Sequence, residues 1–299
     1  MGTANLEGPV PLSRRVGVPA LRNVVGRSPA LAVGAVLLGA IVLMAVVVPL
    51  LDPGAVDRLG TPLQAPSWAH PAGTDELGRD VFARIAAAGR IDLGIAVVGV
   101  GASFVIGTLL GTLAGLSARG WVDAIFMRVV DAFIAFPFTI LVLVIVVVVG
   151  PSRTFGPIPA GLPATFIGLV ATSWAWYARL ARGQTLALRE RDHVVASRLI
   201  GYSTLRIVRR QLAPSVVRVN AAYAVADATL FVIATASLAF LGAGVQPPTP
   251  EWGGIMFEGR SYLQNAWWIT FLPGLTLALT GLSLSLITDA LLSAKAAKR

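Results

Sequence analysis

Six unbroken apolar blocks constrain what this chain can fold into more than any other feature. They run over about 31–51, 91–117, 129–150, 160–180, 219–241 and 269–292. Each holds about 21–27 residues, or ~30–40 Å as an α-helix, enough to cross a hydrocarbon core of ~30 Å. Membrane barrels alternate apolar and polar residues along each strand. The blocks here are continuous, so the predicted spans are helices. Composition agrees: 56% of the 299 residues are hydrophobic and 13% charged, against roughly 25% charged in a soluble domain. An ordinary soluble enzyme and a disordered chain are both excluded. The expected fold is an all-α integral membrane protein with six transmembrane helices.

The first block follows Arg14, Arg15, Arg22 and Arg27. A secretory signal has an apolar region of about 7–15 residues and a small-residue cleavage site. This block is longer and runs into Pro49 and Asp52, so it reads as an uncleaved span. The domain reading is a tail over 1–28, a membrane domain over 29–292 and a second tail over 293–299. Six spans put both tails on one side. That side carries eighteen Arg and Lys: four in the first tail, two near 118–128, nine across 179–218, and Lys295, Lys298 and Arg299. The opposite side carries six. Positively charged loops stay cytoplasmic, so both termini are predicted inside. The same asymmetry explains the net charge of +9 without a nucleic-acid partner.

Cysteine is absent, which excludes disulfides, a thiol nucleophile and Cys-bound metal. His70 and His193 are predicted on opposite sides of the membrane and share no site. A membrane-embedded hydrolase would need a nucleophile–base pair or metal ligands. No H-E-x-x-H or G-x-S-x-G occurs, which leaves Asp131 and Asp227 as the sole facing acids for an aspartyl mechanism. A gradient-driven transporter would be expected to carry internal repeats and discontinuous helices, and no repeat is visible.

Two extracytoplasmic segments are long, about 52–90 and 242–268. In the first, Val81, Phe82, Ile85 and Ala88 recur at helical spacing beside Arg79, Asp80 and Arg84, predicting a short interfacial helix before the second span. In the second, Pro247, Pro248 and Pro250 favour extended chain, and Trp252, Tyr262, Trp267 and Trp268 suit the membrane–water boundary. Asp75, Glu76, Arg79 and Asp80 have two readings: capping and pairing of the interfacial helix, or contact with an outer gate or a docking protein.

The segment about 179–218 is too long for a simple connection. Val195 and Leu199 lie one turn apart, and Leu205, Val208 and Leu212 form another face, with Gly201 between them. A helix, a glycine break and a second helix are predicted to stand out of the membrane, either on anionic lipid or against a soluble partner.

This segment resembles the cytoplasmic EAA loop of ABC importer permeases: Glu-Ala-Ala, three residues, Gly, then about ten residues to an apolar residue and Pro. The matching positions are Val195, Ala196, Ser197, Gly201, Leu212 and Pro214. Val195 stands where the pattern has Glu, with Glu190 and Asp192 close by but out of register. Two further stretches are similar to the dipeptide/oligopeptide branch, C-type subunit. One is Gly73-Thr74-Asp75-Glu76-Leu77-Gly78-Arg79-Asp80. The other runs from Phe240 through Gln246 and Glu251-Trp252 to Gly254. The resemblance implies a prokaryotic plasma-membrane permease that pairs with a homologous second permease. Two cytoplasmic ATPases would dock on the coupling segments, and an extracytoplasmic binding protein would deliver peptide. It further implies roles at the gate or in binding-protein contact for Asp75, Glu76, Arg79, Asp80, Gln246, Glu251 and Trp252. ATP and Mg²⁺ would be handled by the partners. This chain has no G-x-x-x-x-G-K-[ST] loop, so it is expected to be non-catalytic and to bind no cofactor.

Inside the spans, Gly107, Gly111 and Gly115 share one helix face and predict close helix approach, as static packing or as a sliding surface. Pro137 lies inside the third block and removes a backbone hydrogen bond, giving a fixed kink or a hinge. Asp131 has Arg128 one turn back as a candidate partner. Asp227 lies about two turns into its span without a basic neighbour. It reads as a translocation-path residue or as a helix–helix hydrogen-bonding group.

Overall fold

The computed structural model describes residues 29–117, 120–153 and 156–296. The predicted tail over 1–28, with its four arginines, lies outside the described residues, as do Arg119, Lys298 and Arg299. Among the described residues the chain is helical, without strands. The elements are α1 (Pro29–Leu51), α2 (Val81–Ser117), α3 (Trp121–Ala135), α4 (Phe138–Val149), α5 (Leu162–Arg189), α6 (Asp192–Leu199) and α7 (Thr204–Ile207). A π-helical turn (Val208–Leu212) leads into α8 (Ala213–Phe240), followed by α9 (Trp252–Gly259) and α10 (Trp268–Ala296).

Four helical segments are long and apolar enough to cross a membrane: Pro29–Leu51, Val81–Ser117, Thr204–Phe240 and Trp268–Leu291. A fifth is counted if α3 and α4 form one broken span; they meet at 98°. α5 has 28 residues but carries Arg179, Arg182 and Arg189 in its second half.

Two expectations need correction. The segment before the second span is not a separate interfacial helix. It is the first turns of α2, continuous over 37 residues. Arg84, which looked like a surface charge, is 2% exposed, because ion pairs described below take it inward. The third apolar block is likewise not one helix from residue 129. A residue before proline is driven out of the α region, and Phe136 is extended at φ −77°, ψ 140°. Pro137 itself donates no hydrogen bond, so α3 ends and α4 starts afresh.

α2 and α5 form the central pair. A Cβ on Gly107 would lie 2.5 Å from the Tyr177 Cβ, and one on Gly115 would lie 2.7 Å from the Thr185 Cβ. On Gly111 it would run into the Ala178 backbone, with the carbonyl carbon 2.8 Å away. The glycine row therefore lets the two backbones touch, as its spacing predicted. Around this pair, Leu169, Phe231, Trp252, Ile255 and Ile269 are buried in one apolar core that joins α2, α5, α8, α9 and α10.

Candidate functional site

At the N-terminal end of α2 a charge knot ties three elements together. Asp75 is fully buried. Its Oδ1 accepts the Leu77 and Arg79 amides, both at 2.9 Å. Its Oδ2 accepts Arg79 Nε at 2.7 Å and Arg84 Nη1 at 2.6 Å. The other arm of Arg84 reaches Glu258 on α9 at 2.7 Å. Arg79 Nη2 lies 3.3 Å from both Glu76 and Glu258. Three carboxylates this close would suit a cation, but two guanidiniums already hold their oxygens. Asp80 caps α2: its Oδ1 accepts the Ala83 amide at 2.9 Å, and its Oδ2 meets His70 Nδ1 at 2.7 Å.

Of the residues expected at a gate or docking surface, Asp75, Arg79, Glu251 and Trp252 are buried and present no surface to a docking protein in this structure. Trp252 donates its indole N–H to the Ile85 carbonyl at 3.0 Å and its amide to Asp92 Oδ2 at 3.1 Å. Glu251 caps α9 by accepting the Gly254 amide at 2.7 Å. Glu76, Asp80 and Gln246 are half-buried, and the Gln246 side chain donates to the Gly244 carbonyl at 2.9 Å.

A polar chain crosses the helix core. Tyr177 donates its hydroxyl to Asp227 Oδ2 at 2.8 Å. The Tyr177 ring meets Tyr223 edge-on, with 4.9 Å between centroids. Asn220 Nδ2 donates to Thr108 Oγ1 at 2.7 Å and to the Tyr177 carbonyl at 3.2 Å. Asp227 is thus buried at 4% exposure and joins α8 to α5. Beside it, Trp176, Arg179, Leu180, Gly183, Gln184 and Tyr223 line a groove of about 330 Å³. Asp131 is exposed and pairs with Arg179 of α5, not with Arg128 as its spacing suggested. One face of α5 also presents Arg182, which grips Asp123 of α3 with two bonds, at 2.7 and 2.5 Å. These partners lie 48 and 59 residues apart, beyond any helical spacing.

Tyr177→Phe should destabilise the protein by about 1–3 kcal/mol, the cost of leaving a buried polar group unpaired. Asp227→Asn keeps an acceptor for the hydroxyl and should cost less. Thermal unfolding of both variants in detergent checks this. Equal losses would mean the hydroxyl–carboxylate bond carries no special weight.

The segment breaks at Gly201 as expected, but the helix after it is not separate: from Thr204 it runs through to Phe240. α6 closes with Gly201 at φ +87°, in the left-handed region. The Tyr202 amide donates to the Ser197 carbonyl at 3.0 Å, the helix-ending bond that such a glycine permits. Val194, Ile207 and Leu212 are buried together, flanked by Leu116, Leu188 and Val208. Gln211 donates to Ser197 Oγ at 2.6 Å, and Ser197 donates on to the His193 carbonyl at 2.8 Å. Glu190, Asp192, Val195, Ala196 and Pro214 are exposed around this small core. Leu199, Ile200 and Leu205 are 84%, 75% and 74% exposed, and with Tyr202 they form an apolar knob. Arg206 stacks over the Tyr202 ring at 5.1 Å.

The residues that the sequence reading missed are Asp92, Tyr177, Tyr223, Asn220, Glu258 and Gln211. The apolar pair Val208 and Leu212, one turn apart, was a local signal beside Gln211. Nothing local marked the others.

Spans of this length, a glycine seam and a helix–glycine–helix element outside the core define a multi-pass membrane protein of the importer-permease architecture. Residues 107–296 match the family described as "Binding-protein-dependent transport system inner membrane component", and the chain belongs to that family. Its relatives include the di/tripeptide transport system permease protein DppC of Pseudomonas aeruginosa, 38% identical, covering 77% of this chain and 74% of that protein. The nickel transport system permease protein NikC of Escherichia coli is 37% identical, covering 80% and 83%. The dipeptide transport system permease protein DppC of Bacillus subtilis is 34% identical, covering 83% and 75%. Among solved structures, inward-facing MetNI methionine ABC transporter matches with a TM-score of 0.53 at 22% identity, over 72% of this chain and 97% of that one. At that identity the likeness establishes the fold.

Proposed function

We propose that this chain is the six-span permease subunit, with both termini inside, of an ATP-driven importer of peptides. It is a non-catalytic half of a path shared with a homologous second permease. The observation that carries this reading is the exposed knob of Leu199, Ile200, Tyr202 and Leu205. Four large apolar side chains exposed in one short stretch, with Arg198, Arg206, Arg209 and Arg210 exposed close by in sequence, are costly in water and suit a protein partner. The buried trio Val194, Ile207 and Leu212 holds it rigid, so a push on the knob is transmitted into α8, which follows without a break. The partner is one of two cytoplasmic ATPases, which bind and hydrolyse ATP with Mg²⁺. Glu190, Asp192, Val195, Ala196, Ser197, Gly201, Leu212 and Pro214 build the docking element.

Movement of α8 against α5 would then open or close the groove beside Tyr223 and Asp227. Asp131 and Asp227 offer counter-charge to a peptide amino terminus, and the break at Pro137 lets α3 and α4 turn separately. Asp75, Glu76, Arg79, Asp80, Gln246, Glu251 and Trp252 act at the outer gate: Asp75, Arg79 and Trp252 help fix α9 to α2, and Asp80 and Gln246 hold the adjoining chain. Substrate arrives from an extracytoplasmic binding protein. Peptide is preferred over a nickel complex because relatives named for peptide transport span most of this chain in several organisms.

Affinity purification from the native membrane in mild detergent tests the assembly. Recovery of a second permease and P-loop ATPases is expected. Recovery of this chain alone, even after cross-linking, would overturn the reading. Gly201→Trp places a bulky side chain where φ is +87° and nothing lies within 4 Å. The strain is about 1–2 kcal/mol, so the variant should insert normally while uptake falls to background and ATPase stimulation is lost. Normal uptake with normal stimulation would exclude the knob as the coupling element.

A further inference from the structure

Asp92 of α2 and Glu251 of the α9 cap are 0% and 1% exposed, and Asp92 accepts the amide of Trp252, the residue that follows Glu251. No cation touches either of them among the described residues. The nearby charges are committed elsewhere. Arg84 binds Asp75 and Glu258. Arg79 binds Asp75, Glu76 and Glu258. Arg90 turns to the Ala45 and Val46 carbonyls of α1 at 2.8 Å each. The side of α8 packed against α9 brings Ala236 to the Gly253 backbone and offers no charge. α10 contributes Ile269 and Thr270 against Gly259.

The backbone supplies partial compensation. The Trp252 amide donates to Asp92 Oδ2 and the Gly254 amide to Glu251 Oε2. These are first-turn N–H groups of one eight-residue helix, which stabilise one negative charge there. The remaining oxygens, Asp92 Oδ1 and Glu251 Oε1, are buried and have no hydrogen-bond partner. Two ionised carboxylates in contact in a dry site repel strongly, whereas one proton between them satisfies both oxygens at once.

We propose that Asp92 and Glu251 share a single proton, and that this protonated pair is a latch holding α9 against α2. Burial holds the Glu251 carboxyl above its usual range, and the bonds from Asp92, Gly253 and Gly254 offset this only in part. A group whose folded value is raised stabilises the fold at low pH and loses that contribution as pH climbs through the folded value. The latch therefore tightens in acid and loosens in alkali.

The experiment is thermal unfolding of the full chain in detergent as pH is raised from mildly acidic to alkaline, the direction in which a raised carboxyl gives up its proton. The wild-type midpoint should fall by several degrees across that range. Asp92→Asn supplies a permanent N–H to Glu251 and should flatten most of the slope. Asp92→Ser gives the same test with a smaller donor. Hydrogen exchange of residues 252–259, compared at one alkaline pH, should be slower in these variants than in wild type, and the protonated-carboxyl infrared band should shrink. An unchanged slope in both variants would overturn the proposal. So would rescue of the alkaline wild type by sodium chloride but not choline chloride, which would put a metal cation in place of the proton.

Discussion

Arg84→Met should cost about 3–5 kcal/mol, the scale seen when one member of a buried ion pair is removed and its partners stay charged. The side chain is 2% exposed and its two arms separately neutralise Asp75, which is fully buried, and Glu258. Methionine fills a similar volume but leaves Asp75 and Glu258 to share the single remaining cation, Arg79. Arg84→Lys should recover little, because an ammonium is a point charge and cannot span two carboxylates the way a guanidinium fork does. Adding Glu258→Gln to Arg84→Met removes one uncompensated charge and should restore part of the loss. Melting temperature and the yield of monodisperse protein report the outcome. A loss below about 0.5 kcal/mol, the level of an ordinary surface change, would mean the knot is solvated in a way its burial does not indicate.

Arg84 also shows why part of the fold was not legible in the sequence. With Arg79 and Asp80 beside it, the residue looked like the polar face of an interfacial helix. Its ligand Glu258 is 174 residues away, and no helical period connects the two. The same holds for Asp131, for which local spacing offered Arg128 while the fold brought Arg179 from another helix. Asp92 was invisible for the same reason: it accepts the Trp252 amide, 160 residues on. Charges inside a membrane protein find their partners through tertiary packing, and a sequence read in windows reports only those on the same helix.

Features governed by local chain geometry were legible. Gly201 was expected to break the 192–212 segment, and it sits at positive φ between two helices. Pro137 was expected to kink one continuous span, and it ends a helix instead. The interruption follows from proline and its predecessor, but the 98° turn depends on what α3 and α4 pack against. The bonds that hold α3 to α5, Arg182 to Asp123 and Arg179 to Asp131, come from outside the block. Periodicity put Leu205, Val208 and Leu212 on one face, but the fold splits them: Leu212 is buried in the small core while Leu205 is exposed.

The glycine row gives the other large expected effect. Gly111→Ala places a methyl carbon against the Ala178 carbonyl, a backbone group that no rotamer change can move aside. Overpacking a filled interface costs about 1–3 kcal/mol and sometimes more, and a backbone obstacle belongs at the upper end. Gly107→Ala also meets backbone, at the Trp174 carbonyl and the Ala178 amide, and should lose about as much, whereas Gly115→Ala faces mainly the Thr185 side chain and its loss should be smaller. Gly101→Ala, on the same helix with nothing within 4 Å, should gain up to about 1 kcal/mol from the lower helical cost of alanine. Thermal midpoints of the four variants fix the order. If Gly111→Ala melted like Gly101→Ala, α2 and α5 would have to separate freely, and the seam would be a surface that slides. If it loses stability in proportion to its contact, the two helices move as one body, and the motion that opens a path must be found at α8 or at the break before α4.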